Sequence, residues 1–562
     1  MKEFPDRRTA IRTIAAITTA MAAFPAARAS NTAATPDRLS PTAPLLGLMS
    51  ARSKIALDGP WHYLIDPYDT ALGKPHTRRA VWEDRSSPEG RVMYEYEWDS
   101  SPVMQVPTDW NSASQELYLY DGIIYLHRDV ALTPKPGRRQ IIRFEAVNYH
   151  ATIWLGGLKI GDHEGGFLPF EFDVTEYIDQ LGTGNHPLVL RVDSRHSRNT
   201  IPGADFDWKN WGGITRSVYL IDTAESYVRN AAVRFDGSAI IVDVFVTGSE
   251  TIAATVAFPE LGLQKKLTIE PSGSQSIRFP IGKKAQRWSP ESPKLYRMEI
   301  SANGETLHDA IGLRTIETRG RELLLNGKPV YLRGICIHEE PISKEAGRTV
   351  TLAQARALLD EAKALGCNFV RLAHYPHSEH MLRLADEMGL LVWSEIPIYW
   401  EDIDYKSERI YALADQMLTD MIERDRNRAS IILWSVANET PQSEGRNIFL
   451  RRLIARCRAL DPARLVTAAM NKNADMGGSK PNEARIVVQD ALAAELDVIG
   501  INQYQSWYGP RSPGDLNQVT FSSAYDKPLI FSEFVQKRFM GIAGRAKKFG
   551  PKTIRPGYMK RC

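Results

Sequence analysis

Cysteine is scarce in this chain: Cys336, Cys367, Cys457 and Cys562 are the four in 562 residues. None stands in a CxxC pair or at metal-ligand spacing. A disulfide framework or thiolate metal cluster is therefore excluded as an organising feature, and buried free thiols are expected. Long apolar runs are also missing. The stretch from Ile14 to Phe24 is too short for a permanent bilayer anchor. It follows Arg7-Arg8 and Arg12 and precedes Ala27-Arg28-Ala29, so residues 1–29 read as a signal peptide and predict a periplasmic or secreted bacterial protein. The Arg pair hints at twin-Arg export, with ordinary secretion nearly as good a fit. A strong charge of one sign is absent too, since the formal net charge is +3. Even that comes from the ends. Residues 535–562 hold nine Lys or Arg and no Asp or Glu, and residues 1–29 hold five basic and two acidic residues. The remaining body carries 56 basic against 65 acidic residues, which gives no case for a nucleic-acid partner.

The length suits three domains. From about Lys54 to Thr223 short alternating runs such as Gly122–Val130, Ile141–Glu145 and Ala151–Leu155 are separated by Gly and Pro signals at sandwich-like spacing. A second β region, from about Ala224 to Ile316, alternates clearly between Ile240 and Thr247 and has the length of an immunoglobulin-like sandwich. An Asn326-Gly327 hairpin then leads to a different period. Strand-like Val330–Ile337, Asn368–Leu372, Leu390–Ile396, Ile431–Val436, Arg464–Ala469, Val498–Asn502 and Pro528–Phe531 alternate with helical patterns at Leu352–Leu365, His377–Met388 and Asn447–Leu460. Repeated βα units of this size indicate a parallel barrel, here with seven strands and no eighth.

Two of these strands carry the chemistry. Ser430-Ile-Ile-Leu-Trp-Ser-Val-Ala-Asn438-Glu439 and Lys527-Pro-Leu-Ile-Phe-Ser-Glu533-Phe are apolar runs, each ending on a carboxylate. A run apolar on both faces marks a strand inside a parallel sheet, and barrel enzymes place their chemistry at the C-terminal strand ends. Two carboxylates on different strands are what glycoside hydrolysis requires. Trp434, inside the first run, reads as core.

The chain resembles glycoside hydrolase family 2, the family of β-glucuronidases, β-galactosidases and β-mannosidases, over roughly Lys54 to Phe534. The likeness lies in Val106-Pro-Thr-Asp-Trp-Asn111, Gly165-Gly-Phe-Leu-Pro-Phe-Glu171, Asn210-Trp-Gly-Gly-Ile-Thr-Arg216, Arg333-Gly-Ile-Cys-Ile-His338-Glu, Arg371-Leu-Ala-His374-Tyr-Pro376, Asn438-Glu439 and Ser532-Glu533-Phe534. It implies a jelly-roll sugar-binding domain over 50–223, an immunoglobulin-like β-sandwich over 224–317, and a (β/α)8 TIM barrel over 318–534 that lacks its last strand and helices. By the same resemblance Glu439 is the general acid/base and Glu533 the nucleophile of a retaining exo-β-glycosidase, and Asn438 binds the sugar 2-hydroxyl. His338 and His374 match positions that bind sugar hydroxyls, Tyr504 the tyrosine on the nucleophile, and Asp207 a carboxylate reaching over from the sugar-binding domain. Trp507 is a candidate for stacking on a sugar face. Glu395 ends the third strand, where β-galactosidases of the family bind Mg²⁺; the accompanying ligands are not evident, so no metal or other cofactor is assigned.

The segments Gly165–Glu171, Ile201–Trp208 and Asn502–Tyr508 look more like β-glucuronidases than β-galactosidases. The Asn-x-Lys clamp that normally follows the nucleophile strand in that subgroup has no counterpart here. β-Galactosidase activity is the alternative, and a non-catalytic truncated carbohydrate-binding product is a third reading. A carbohydrate substrate is the expected partner, with neither membrane nor nucleic acid; homo-oligomerisation stays open. After Phe534 the pattern stops, and 535–562 is a basic, aperiodic tail, best read as the product of a reading-frame change. A barrel of seven strands is expected to leave its first and last strands with unpaired edges.

Overall fold

The computed structural model describes residues 45–69, 98–282, 285–341, 347–348, 351–400, 403–470, 475–477, 484–506 and 519–536. Residues 1–29, Trp507 and Cys562 lie outside them, as does the basic tail from 537 onward.

Between Lys54 and Ala224 a six-stranded and a four-stranded sheet, both antiparallel, form a jelly-roll-type sandwich. Its longest ladder pairs Ile123–Leu132 with Gly184–Asp193 over their full lengths. Alternation supplies the core, with Ile124, Leu126, Leu188, Leu190 and Val192 all buried in one cluster. Tyr227 to Gly312 forms the second sandwich, a three-stranded sheet over a four-stranded one. The alternation seen at Ile240–Thr247 places Ile240, Val242, Val244 and Val246 inside it. The hairpin that follows has φ of 53° at Asn326 and 75° at Gly327, the pair of positive values that a tight two-residue turn needs.

The barrel strands are β1 (Gly334–Ile337), β2 (Phe369–Leu372), β3 (Leu391–Glu395), β4 (Ile431–Asn438), β5 (Leu465–Met470), β6 (Ile499–Ser506) and β7 (Leu529–Gln536). They form one sheet in that order, and every neighbouring pair is parallel. β1 starts later than the apolar run from Val330 suggests, because Lys328–Pro329 turns back onto Leu324 and Leu325. A Cβ at Gly334 would lie 2.4 Å from the Phe369 carbonyl oxygen, so only glycine allows β1 this close to β2.

The helices packed around the sheet are α1 (Leu352–Ala364), α2 (Glu379–Met388), α3 (Glu408–Asp425) and α4 (Glu444–Leu460). α1 opens with a capping box between Thr351 and Gln354. The sequence reading missed α3, although Ile410, Ala414, Met417, Leu418, Met421 and Ile422 recur at helical spacing and are buried. Asp420 and Asp425, buried on the same helix, interrupt the apolar pattern that would have shown it. Among the described residues no helix is long and apolar enough to cross a membrane. The expected thiols are present: Cys336, Cys367 and Cys457 are free and buried. Trp434 is fully buried, as expected of a core residue.

Among the described residues no backbone ladder joins β1 to β7. Side chains join them instead. The Cys336 thiol on β1 donates to the Ser532 carbonyl on β7 at 3.0 Å, and Arg371 Nη1 on β2 reaches the same oxygen at 3.4 Å.

α3 carries a testable charge. Burial pushes the Asp420 carboxyl up to about 8, and Glu423 and Glu171 add to the rise against the lowering bond from Gln416. The folded protein thus keeps a proton that an unfolded chain releases near pH 4. Stability from this group is full below that pH and is lost as pH rises through about 8. Between pH 5 and 9 the parent protein should lose on the order of 3 kcal/mol more than Asp420→Asn. Melting curves of the two proteins across that range check this; parallel curves would contradict it.

Candidate active site

The C-terminal ends of β2, β3, β4, β6 and β7 converge on one buried polar cluster. Arg371 is its hub. It is the single charged residue within an otherwise apolar strand, Phe369–Leu372, and is 1 % exposed. Its Nη1 donates to Glu533 Oε1 at 3.0 Å. Its Nη2 donates to both oxygens of Glu395 at 2.9 and 3.1 Å and to Asn438 Oδ1 at 2.7 Å. Burial alone would lower the guanidinium's pKa; Glu395 and Glu533 outweigh it and raise the value.

Glu533 therefore has a permanent cation against one oxygen. His374 Nε2 lies 3.3 Å from the same oxygen, and the Tyr504 hydroxyl donates to the other. Burial, then Glu533 and then Glu439, raise the Tyr504 phenol well above its ordinary value, so it keeps its proton and stays a donor. His374 also spans to Glu395, with Nδ1 3.1 Å from Oε1.

Glu439 is held differently. It directly follows the last residue of β4 with φ of 52°, a left-handed conformation uncommon outside glycine. Its N–H donates to the Ala469 carbonyl at 2.8 Å. Its carboxyl oxygens accept from two neutral groups, Trp400 Nε1 at 3.0 Å and Asn502 Nδ2 at 3.0 Å. The Asn502 amide direction is set by Ser532, whose hydroxyl donates to Asn502 Oδ1 at 2.7 Å. Asn438 Oδ1 is committed to Arg371 and Asn502, and its Nδ2 is buried without a hydrogen-bond partner among the described residues. A buried orphan donor is expensive, so Nδ2 is suited to a ligand oxygen.

Aromatic side chains wall this cluster. Trp208, from the sandwich loop, stacks near His374 at 5.8 Å between ring centroids and meets Tyr399 edge-on at 5.1 Å. Burial, then Asp207, Glu439 and Glu533, raise the Tyr399 phenol. The loop is tied down by Trp211 Nε1 on Glu340 at 2.9 Å and by Arg216 on the buried Glu339 at 2.8 Å. Phe167 stacks on Tyr375 at 4.6 Å across the same junction. Much of the sequence pattern quoted from the sandwich thus holds it against the barrel.

The structure brings Glu439, Glu533, Asn438, His374 and Tyr504 together directly. His338 stands at their edge, its ring 5.3 Å from that of His374 and its Nδ1 3.3 Å from the Tyr375 hydroxyl. Asp207 is exposed and couples to the cluster through Tyr399. Trp507 is outside the described residues. Sequence reasoning missed Arg371, Trp208, Trp400 and Asn502 as site residues. Arg371 left a signal as a lone charge in an apolar strand, and Trp208 and Asn502 sat inside the quoted family segments without being singled out, whereas Trp400 left none. Glu395 is occupied by Arg371, His374 and Trp393 Nε1 (2.9 Å), and among the described residues no group of His, Cys, Asp and Glu is arranged for a metal ion.

Two family models match the chain. Glycosyl hydrolases family 2, sugar binding domain, covers residues 55–224. Glycosyl hydrolases family 2, TIM barrel domain, covers 316–550, running past Phe534 into the basic segment. The beta-glucuronidase of Canis lupus familiaris is 26% identical over 557 residues, spanning 87% of this chain and 81% of that protein. That of Mus musculus is 27% identical over 553 residues, spanning 88% and 79%. The solved beta-glucuronidase of an uncultured Clostridium sp. has a TM-score of 0.71 at 26% identity, covering 88% of this chain and 85% of that one.

Proposed function

The chain belongs to glycosyl hydrolases family 2 and is an exo-glycosidase, and on that premise we propose that it hydrolyses terminal β-glucuronides with retention, using Glu533 as nucleophile and Glu439 as acid/base. The observation that carries the assignment of roles is the unequal partnering of the two carboxylates. Glu533 is paired with the Arg371 cation, which favours its ionised, attacking form. Among the described residues, Glu439 receives the neutral donors Trp400 and Asn502, which tolerate both the acid and the base it must alternately be.

In the first step the Glu533 carboxylate bonds to the anomeric carbon. The electron pair of the breaking glycosidic bond goes to the leaving oxygen, which takes the proton of Glu439. In the second step water attacks the anomeric carbon and gives its proton back to Glu439, and Glu533 leaves as a carboxylate. Asn438 Nδ2 would bind the sugar 2-hydroxyl, a bond that strengthens as the oxocarbenium-like transition state forms. His338, His374 and Asp207 are proposed to bind other sugar hydroxyls, and Tyr504 to orient the nucleophile. The division at 50–223, 224–317 and 318–534 and export through residues 1–29 belong to the same proposal. The glucuronide reading draws on the named relatives as well as on the sequence motifs.

The test is turnover of para-nitrophenyl β-glucuronide and β-galactoside, with proton NMR of the first sugar anomer released. The expected result is the β anomer and a kcat/KM at least about 100-fold in favour of the glucuronide. Release of the α anomer, or a preference for galactoside, overturns the proposal.

A further inference from the structure

Trp400 lies in no motif of the sequence, yet it is fixed against Glu439 from several directions. Its backbone N–H donates to the Asn438 carbonyl at 3.0 Å, and its own carbonyl accepts the Tyr405 hydroxyl at 3.0 Å. Asn438 N–H in turn donates to the Ile398 carbonyl at 2.8 Å, so the segment after β3 is stitched to the end of β4. Trp400 has φ of 49°, and its ring lies 4.7 Å from that of Tyr399. The indole N–H ends this arrangement, 3.0 Å from Glu439 Oε2.

We propose that Trp400 is a positioning residue for proton transfer by Glu439, its indole N–H holding the carboxyl where it meets the leaving oxygen. This rests on the assignment of Glu439 as acid/base. An indole N–H can only donate, so Oε2 is fixed as an acceptor there. Asn502 Nδ2 does the same for Oε1, with its amide oriented by Ser532. Rotating the carboxyl would break both bonds. As Glu439 gives its proton to the leaving oxygen, negative charge grows on the atoms that these donors face. Their bonds strengthen in the transition state relative to the ground state, and only such differential bonding raises the rate. When Glu439 takes a proton from water in the second step, the bonds relax again.

The consequence depends on the leaving group. An alkyl aglycone leaves only if protonated, whereas a dinitrophenyl aglycone leaves as the anion and needs no acid. Trp400→Phe keeps an aromatic ring, though a smaller one, and removes the N–H. It should lower kcat/KM about tenfold for an alkyl glucuronide and less than about twofold for dinitrophenyl glucuronide. Trp400→His, which restores a ring donor, should recover part of the alkyl rate and serves if the Phe variant folds poorly. An equal loss on both substrates, or no loss on either, overturns the proposal. Glu439→Gln run in parallel separates the two ideas. If it spares the alkyl substrate, the acid/base assignment fails. If it shows the leaving-group split and neither Trp400 variant does, only the role of Trp400 fails.

Discussion

Glu533→Gln is expected to lower kcat by about 10⁴-fold or more with the fold intact, because the amide is nearly isosteric but cannot bond to the anomeric carbon. The amide oxygen can still accept from Arg371 Nη1, and its NH2 then faces the Tyr504 hydroxyl, which can turn from donor to acceptor. Loss of one charge also relieves crowding among Glu533, Glu395 and Glu439, so the melting temperature should hold or rise. Binding of a glucuronide product should persist, since Asn438 and the aromatic wall are untouched. The experiment is a pair of measurements on one variant: steady-state turnover, and product binding by calorimetry. Retention of more than about a hundredth of the parent activity would remove Glu533 from the nucleophile's role.

Arg371→Met should be nearly as damaging and for a different reason. Arg371 is ion-paired with both Glu395 and Glu533, each of which is almost fully buried. Removing one partner of a buried ion pair leaves an uncompensated charge and costs about 3–5 kcal/mol. Here two carboxylates lose their cation at once, and Asn438 Oδ1 loses a donor, so its amide is free to turn away from the sugar. Activity is expected to fall about 10³-fold together with a clear drop in melting temperature. Arg371→Lys keeps the charge but has no planar fork to span Glu533, Glu395 and Asn438. It should restore much of the stability and little of the activity. The double variant Arg371→Met with Glu395→Gln removes one of the stranded charges and should be more stable than Arg371→Met alone. If the single Met variant melts like the parent, the network is not the support described above.

The two carboxylates were legible because the strands that carry them are largely apolar, so Asn438-Glu439 and Glu533 stand out as the first amide or charged groups at each strand end. The barrel order was legible from the same runs; strand ends differ by a few residues where Asn438 and Gln536 extend the pairing. α3 was not read, since Asp420 and Asp425 sit on its buried side. Trp208 and Trp400 lie in irregular backbone, where an aromatic residue follows no period and its target is far away in sequence. Asp207, one residue from Trp208, was found only through the family pattern. At the seam between β1 and β7, where the described residues form no ladder, a thiol and a guanidinium reach the Ser532 carbonyl, side-chain contacts that a strand pattern does not foretell.

The ties between sandwich and barrel set where this chain can be cut. Trp208 leans on His374, Arg216 reaches Glu339, and Trp211 reaches Glu340, so the mouth of the barrel is walled by side chains from more than a hundred residues upstream. A library that shuffles the modules of related enzymes at residue 317 would break these matched pairs wherever the parents differ. Working chimeras should be those that inherit the 205–216 loop and the 338–341 loop from the same parent, whatever the source of the strands between.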